Sequence, residues 1–214
     1  MLSQIAQPAA AIEQDDFSAL DPQRWRIETQ DPAGSAVYVE QQRLIMDTRA
    51  GMTVWLDRPL RGAYRIEFLR QVLVAGQAND RLSDMNLFWG AHEPDLPDGH
   101  LRLARRNGVL EAYDNMASWY VGMGGNGNST TRFRWYDGSG ERHLLGEHLQ
   151  PDYLLEAGRI YRIRVEVSAD KTAYWVDDRL MFQQALDGRS TDGYFGFRSV
   201  WSRQAISRFR VIEI

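Results

Sequence analysis

The chain has 214 residues, 43% hydrophobic and 25% charged, with a net charge of −4 and a pI near 5.6. That balance fits a globular protein and argues against diffuse attraction to nucleic acid or an anionic membrane. Without cysteine, disulfides, thiolate nucleophiles and cysteine-ligated metals are excluded, and no stretch approaches the ~20 apolar residues of a membrane span.

Residues 1–16 read as a loose lead-in, and residues 17–214 as one domain. Short strands are expected at Trp25–Glu28, Ala36–Glu40, Arg43–Asp47 and Thr53–Leu56, with a turn at Asp31-Pro32-Ala33-Gly34. Ala63–Val74 is the first long strand, with Tyr64, Ile66 and Phe68 on one face. Asp84–Trp89 places Met85, Leu87 and Trp89 on one side and Asn86 and Phe88 on the other. A loop follows, with a brief helix expected at Leu101–Gly108. Candidate strands then come at Val109–Tyr113, Ser118–Val121 and Thr131–Tyr136. Ile160–Ser168 alternates most cleanly, and Thr172–Val176, Leu180–Gln183, Tyr194–Val200 and Ile206–Ile214 complete the set. Many short strands, turn signals between them and no long helix predict an all-β antiparallel sandwich or jelly roll.

Three segments then stand out: Asn86-Leu87-Phe88-Trp89, the block from Trp119 to Arg134 with its Gly124-Gly125-Asn126-Gly127 run, and Gly193-Tyr194-Phe195-Gly196-Phe197-Arg198-Ser199-Val200-Trp201. Through them the chain resembles the concanavalin-like lectin/glucanase superfamily and, more narrowly, bacterial YesU-type sandwich domains of rhamnogalacturonan-degrading systems. The resemblance implies two facing antiparallel sheets, one curved around a glycan, and a lyase or hydrolase role. Related glucanases carry Glu-x-Asp-x-x-Glu on a strand; this sequence has no such array, which argues against a retaining glucanase mechanism.

The residues fit elimination at a uronic acid. That reaction needs the sugar carboxylate neutralised, a base for the C5 proton and an acid for the leaving oxygen. Arg132, Arg134 and Arg198 are the candidate carboxylate clamp, because a guanidinium offers a planar bidentate fork. Phe133 and Trp135, on the opposite side of that strand, are expected in the core. Tyr120 and His148 are the candidate proton-transfer pair. Asn126, Asn128 and His92 are candidate substrate contacts, and Trp89, Trp119 and Trp201 candidate stacking platforms. Two alternatives stay open. One is hydrolysis by a carboxylate pair drawn from Glu67, Glu111 and Glu166; the other is carbohydrate binding without catalysis. No cofactor is expected, and Asp95 and Asp98 are the only suggestion of a structural calcium. A glycan is the expected partner, and the oligomeric state is not readable. The first eleven residues lack the basic start and apolar run of an intact signal peptide. The expected location is therefore cytoplasmic, or periplasmic or secreted if a signal has been removed.

Overall fold

The computed structural model describes residues 11–214. Thirteen strands follow one another: β1 (Ala11–Asp15), β2 (Trp25–Thr29), β3 (Ala36–Glu40), β4 (Arg43–Leu56), β5 (Tyr64–Leu73), β6 (Met85–His92), β7 (Ala117–Gly124), β8 (Thr130–Asp137), β9 (Arg142–His148), β10 (Ile160–Val167), β11 (Lys171–Val176), β12 (Arg179–Ala185) and β13 (Tyr194–Glu213). Every pairing is antiparallel. The fold is the all-β antiparallel jelly roll that the strand pattern predicts, in the concanavalin-like form that the resemblance implies.

Strand β13 joins two layers. Its first residues pair with β6, and Arg203–Glu213 pair with β5. The front layer runs β2-β4-β13-β6-β7-β8-β9, with β3 also on β4; the back layer runs β13-β5-β10-β11-β12. The ladder slips after Val200 and again after Ser207, and Trp201 and Arg208 there have φ of 43° and 54°. Such bulges bend a strand and raise its twist, which lets one strand serve both layers.

The core lies between the layers, and alternation explains it. β5 and β10 each bury every second residue, including Tyr64, Ile66 and Phe68, and Tyr161, Ile163 and Val165. From the front layer come Met85, Leu87 and Trp89 of β6, Trp119 and Val121 of β7, and Phe133 and Trp135 of β8. Each large apolar side chain so buried contributes about 1.5–3 kcal/mol. Arg70 of β5 is also buried there. It donates to Gln204 Oε1 at 2.7 Å, the Asn86 carbonyl at 2.8 Å and the Arg198 carbonyl at 2.9 Å. Burial lowers this guanidinium to about 9, against the raising influence of Tyr174 and Tyr120. One back-layer side chain thus fixes the two strands that carry Asn86 and Arg198.

Several local expectations change. Residues 11–15, expected in the lead-in, form β1 against β13; residues 1–10 lie outside the described residues. The two short strands expected between Arg43 and Leu56 are one strand, β4, and the last two are one strand, β13. Polar residues at the joins read as breaks in one dimension, but neighbouring strands supply their ladder partners. No helix forms at Leu101–Gly108, and residues 110–113 are a 3-10 turn, not a strand.

Candidate functional site

Register aligns the residues on the front layer's outer face. One cross-strand row reads Glu28, Thr53, Arg198, Asn86, Gly122, Arg132 and Glu147, from β2 to β9. The next row reads Trp55, Gly196, Phe88, Tyr120, Arg134 and Leu144. Side chains of one row are neighbours because facing residues on adjacent strands point the same way.

The β2–β4–β13 side of these rows is covered by the long segment joining β6 to β7, residues 93–116. Buried Glu28 holds it. Its Oε2 accepts from Trp55 Nε1 at 2.8 Å and the Tyr113 hydroxyl at 2.9 Å, and its Oε1 accepts from the backbone N–H groups of Arg105 and Arg106, both at 3.1 Å. Tyr113, Trp55, Phe88, Tyr120 and Tyr136 form a second aromatic core beneath the segment. At its tip, backbone meets backbone. A β-carbon on Gly108, where φ is +80°, would stand 2.5 Å from Gln30 N and Gly51 O, and one on Gly51 would collide with the Gly108 carbonyl. Gly108→Ala is therefore expected to lower stability by about 1–3 kcal/mol, measured by denaturant unfolding. Within the segment, Glu93 pairs with Arg102 and, at 2.7 Å, with Arg106.

The β8–β9 corner of these rows stays open, whereas every residue of β7 is buried. Arg132 and Arg134 are half-buried. Arg132 pairs with Glu147, whereas Arg134 has no ion pair among the described residues. Tyr120 packs beside Gly122, where a β-carbon would lie 3.1 Å from its hydroxyl and 3.3 Å from Asn86 Oδ1. Glycine here lets both polar groups approach the sheet. Burial, then Tyr136, raises the Tyr120 phenol well above its ordinary 10, against the lowering pull of Arg198 and Arg134. It remains a hydroxyl at neutral pH. Arg198 is 1% exposed, donates from Nη1 to Thr53 Oγ1 and the Gly108 carbonyl, both at 3.1 Å, and sits 4.9 Å from the Tyr113 ring. Its Nε and Asn86 Oδ1 have no partner among the described residues. Both are screened from solvent, so Arg198 contributes a buried positive charge beneath the face and not a surface contact.

The remaining candidates scatter. His148 pairs in register with Thr131, on the core side of β8, and its ring stacks on Tyr153 and Phe182 at 3.8 and 4.7 Å. Its Nε2 lies 2.9 Å from the Met181 carbonyl. It therefore faces away from Tyr120, and the expected proton-transfer pair does not form. Trp89 and Trp119 are fully buried in the main core, so neither is a stacking platform. Trp201 is 50% exposed beside Arg81, whose guanidinium is 5.3 Å from the indole. Asn128 is committed to the backbone of Leu155 through bonds of 2.9 and 2.8 Å. Asn126 is exposed in the β7–β8 turn at φ 53°. His92 Nδ1 donates to the Gly90 carbonyl at 2.9 Å, and its register partner is Ala117.

Of the candidate hydrolytic acids, Glu67 and Glu166 pair with arginines on the back layer, and Glu111 lies in a 3-10 turn. Asp95 pairs with Arg102 at 3.3 Å, and among the described residues no three His, Asp or Glu side chains gather as metal ligands. No helix among them is long and apolar enough to cross a membrane.

His143 has a different role. Its Nε2 lies 2.8 Å from Asp137 Oδ2, and this hydrogen bond, followed by one from the Ser139 backbone, lowers the Asp137 carboxyl to about 2. Because the folded value is depressed, the associated stabilisation is present above 3.8 and is lost as pH falls through about 2. Carboxyl NMR titration should place Asp137 near pH 2, and His143→Ala should move it back toward 3.8.

Sequence reasoning missed two parts of the site. Asn86 shares its strand face with Phe88, which alternation gives, but its pairing with Gly122 beside Tyr120 depends on strand order. The covering segment had no periodic signal, since a buried glutamate and two close glycines hold it.

Comparison with known proteins agrees with this architecture. A galectin-like protein of unknown function from Bacillus subtilis superposes with a TM-score of 0.70 at 16% identity, over 94% of this chain and 98% of that one. A CBM66 carbohydrate-binding module from Bacillus subtilis gives 0.60 at 11%, over 89% and 96%. The catalytic domain of an endo-1,3-β-glucanase (laminarinase) from Thermotoga petrophila gives 0.62 at 12%, over 96% and 98%. At such identities the likeness establishes the concanavalin-like fold. No curated protein matches the chain. These findings overturn the expectation of a uronate lyase: the enzymes among the similar structures are glucanases. The separation of His148 from Tyr120, and a phenol held protonated, agree with that correction. Residues 46–209 match the family model described as a domain of unknown function, DUF6250, and the chain belongs to that family.

Proposed function

We propose that this chain is a carbohydrate-binding sandwich domain that holds a neutral glycan on the open corner of its front layer. One observation carries the reading: Tyr120 and Arg134 are direct cross-strand partners, and this arginine has no ion pair among the described residues. The guanidinium and the phenol hydroxyl offer donors to sugar hydroxyls, while the Tyr120 ring itself is buried against Phe88 and Tyr136. Arg132 and Glu147 extend the polar row. The carbohydrate-binding module and the laminarinases of similar fold support a saccharide as ligand. The narrower kinship with YesU-type domains adds no chemistry to the reading. Calorimetric titration with laminaritetraose, cellotetraose and other neutral tetrasaccharides tests it. Saturable binding of at least one is expected, and no binding across the panel overturns it.

Glycoside hydrolysis is the second reading, supported by the number of glucanases among the similar structures. The acids bordering the open corner are Asp84, before β6, and Glu147. Both already accept hydrogen bonds, from Ser83 and Asn86 and from Arg132. Release of reducing ends from a β-1,3-glucan that disappears in both Asp84→Asn and Glu147→Gln would establish hydrolysis. Binding without such release leaves recognition as the function.

A further inference from the structure

We infer that the open corner takes the end of a glycan chain and does not clamp a chain in its interior. The inference rests on the proposed glycan-binding role and concerns which part of the polymer is recognised. A saccharide laid across the strands from Glu147 over Arg132 next meets Gly122, Asn86 and Arg198, all of them buried. There the covering segment blocks the way. The Gly108 carbonyl bonds to Arg198, and the tip presses backbone to backbone on Gly51 and Gln30.

This obstruction is built in. It is anchored from below by Glu28, whose carboxylate accepts four hydrogen bonds, two of them from backbone N–H groups of the segment. It is braced internally by the buried Glu93–Arg106 pair, and Gly140 N donates to the Asp114 carbonyl at its far end. Releasing it would break the three hydrogen bonds from the segment to Glu28 and expose the second aromatic core to water, an expensive opening. The row is therefore open at the β9 edge and closed at β13. A site closed on one side accommodates terminal residues, with the rest of the chain leaving over β9. Along the row it offers no path for a chain crossing the strands from β9 to β2.

The test compares a linear β-glucan that binds in the tetrasaccharide panel with a cyclic β-glucan of the same linkage, which has no ends. Calorimetry and sedimentation give affinity and stoichiometry. The expected result is one protein bound per linear chain whatever its length, and binding of the cyclic glucan weaker by at least about tenfold. Equal affinity for the cyclic form, or a number of bound proteins that grows with chain length, would overturn chain-end recognition while leaving glycan binding intact. Failure of every linear and cyclic glucan to bind would remove both readings together.

Discussion

Arg134→Ala is expected to weaken binding of the best tetrasaccharide by about tenfold or more, a loss of about 1.4 kcal/mol. Stability should change by less than about 0.5 kcal/mol, because the guanidinium has no ion pair among the described residues to lose. Tyr120→Phe should have a similar effect on binding, since it deletes a hydroxyl and keeps the ring that packs on Phe88 and Tyr136. Calorimetry on the two variants checks both. The corresponding change on the back layer, Arg162→Ala, should leave affinity unaltered. Arg162 is exposed and pairs with Asp178 on the opposite side of the sandwich, so a comparable loss there would move the binding surface off the front layer.

Much of this arrangement was readable from residue order. Strict alternation in Thr131–Tyr136 put Phe133 and Trp135 inside and Arg132 and Arg134 outside, and the structure agrees. Alternation in β6 separated Asn86 and Phe88 from the core-facing Met85, Leu87 and Trp89 in the same way. Periodicity reports which side of a strand a residue takes, but not which strands are neighbours. His148 follows the arginine-bearing strand across one hairpin, yet a bulge between Phe133 and Arg134 resets the pairing and leaves it on the core side. Aromatic residues posed the opposite difficulty. Trp89, Trp119 and Trp201 occupy equally distinctive segments, but only Trp201 falls at a bulge that keeps it from the core. The covering segment was the least legible part, because its order comes from long-range contacts to Glu28, Gln30 and Gly51, more than fifty residues earlier in the chain.

Glu28→Ala should be the most damaging single change near the site. The carboxylate is 2% exposed and accepts four hydrogen bonds, so its removal leaves an indole N–H, a phenol and two backbone N–H groups buried without an acceptor. A loss of about 4 kcal/mol is expected. For a chain of this size that corresponds to a fall in melting temperature of roughly 10 °C. Glu28→Gln retains a carbonyl oxygen and should lose about half as much. Differential scanning calorimetry distinguishes the two. Equal, small losses would mean that the segment over residues 93–116 is held by its aromatic contacts alone, and would weaken the case for a fixed obstruction.

The most direct measurement is a backbone amide NMR titration of the whole chain with the tetrasaccharide that binds best. Saccharide contact at the proposed corner predicts shifts concentrated at Asn86, Tyr120, Gly122, Arg132, Arg134 and Glu147, with the amides of β5, β10 and β11 unmoved. Shifts concentrated on those back-layer strands, or spread evenly over the molecule, would contradict it.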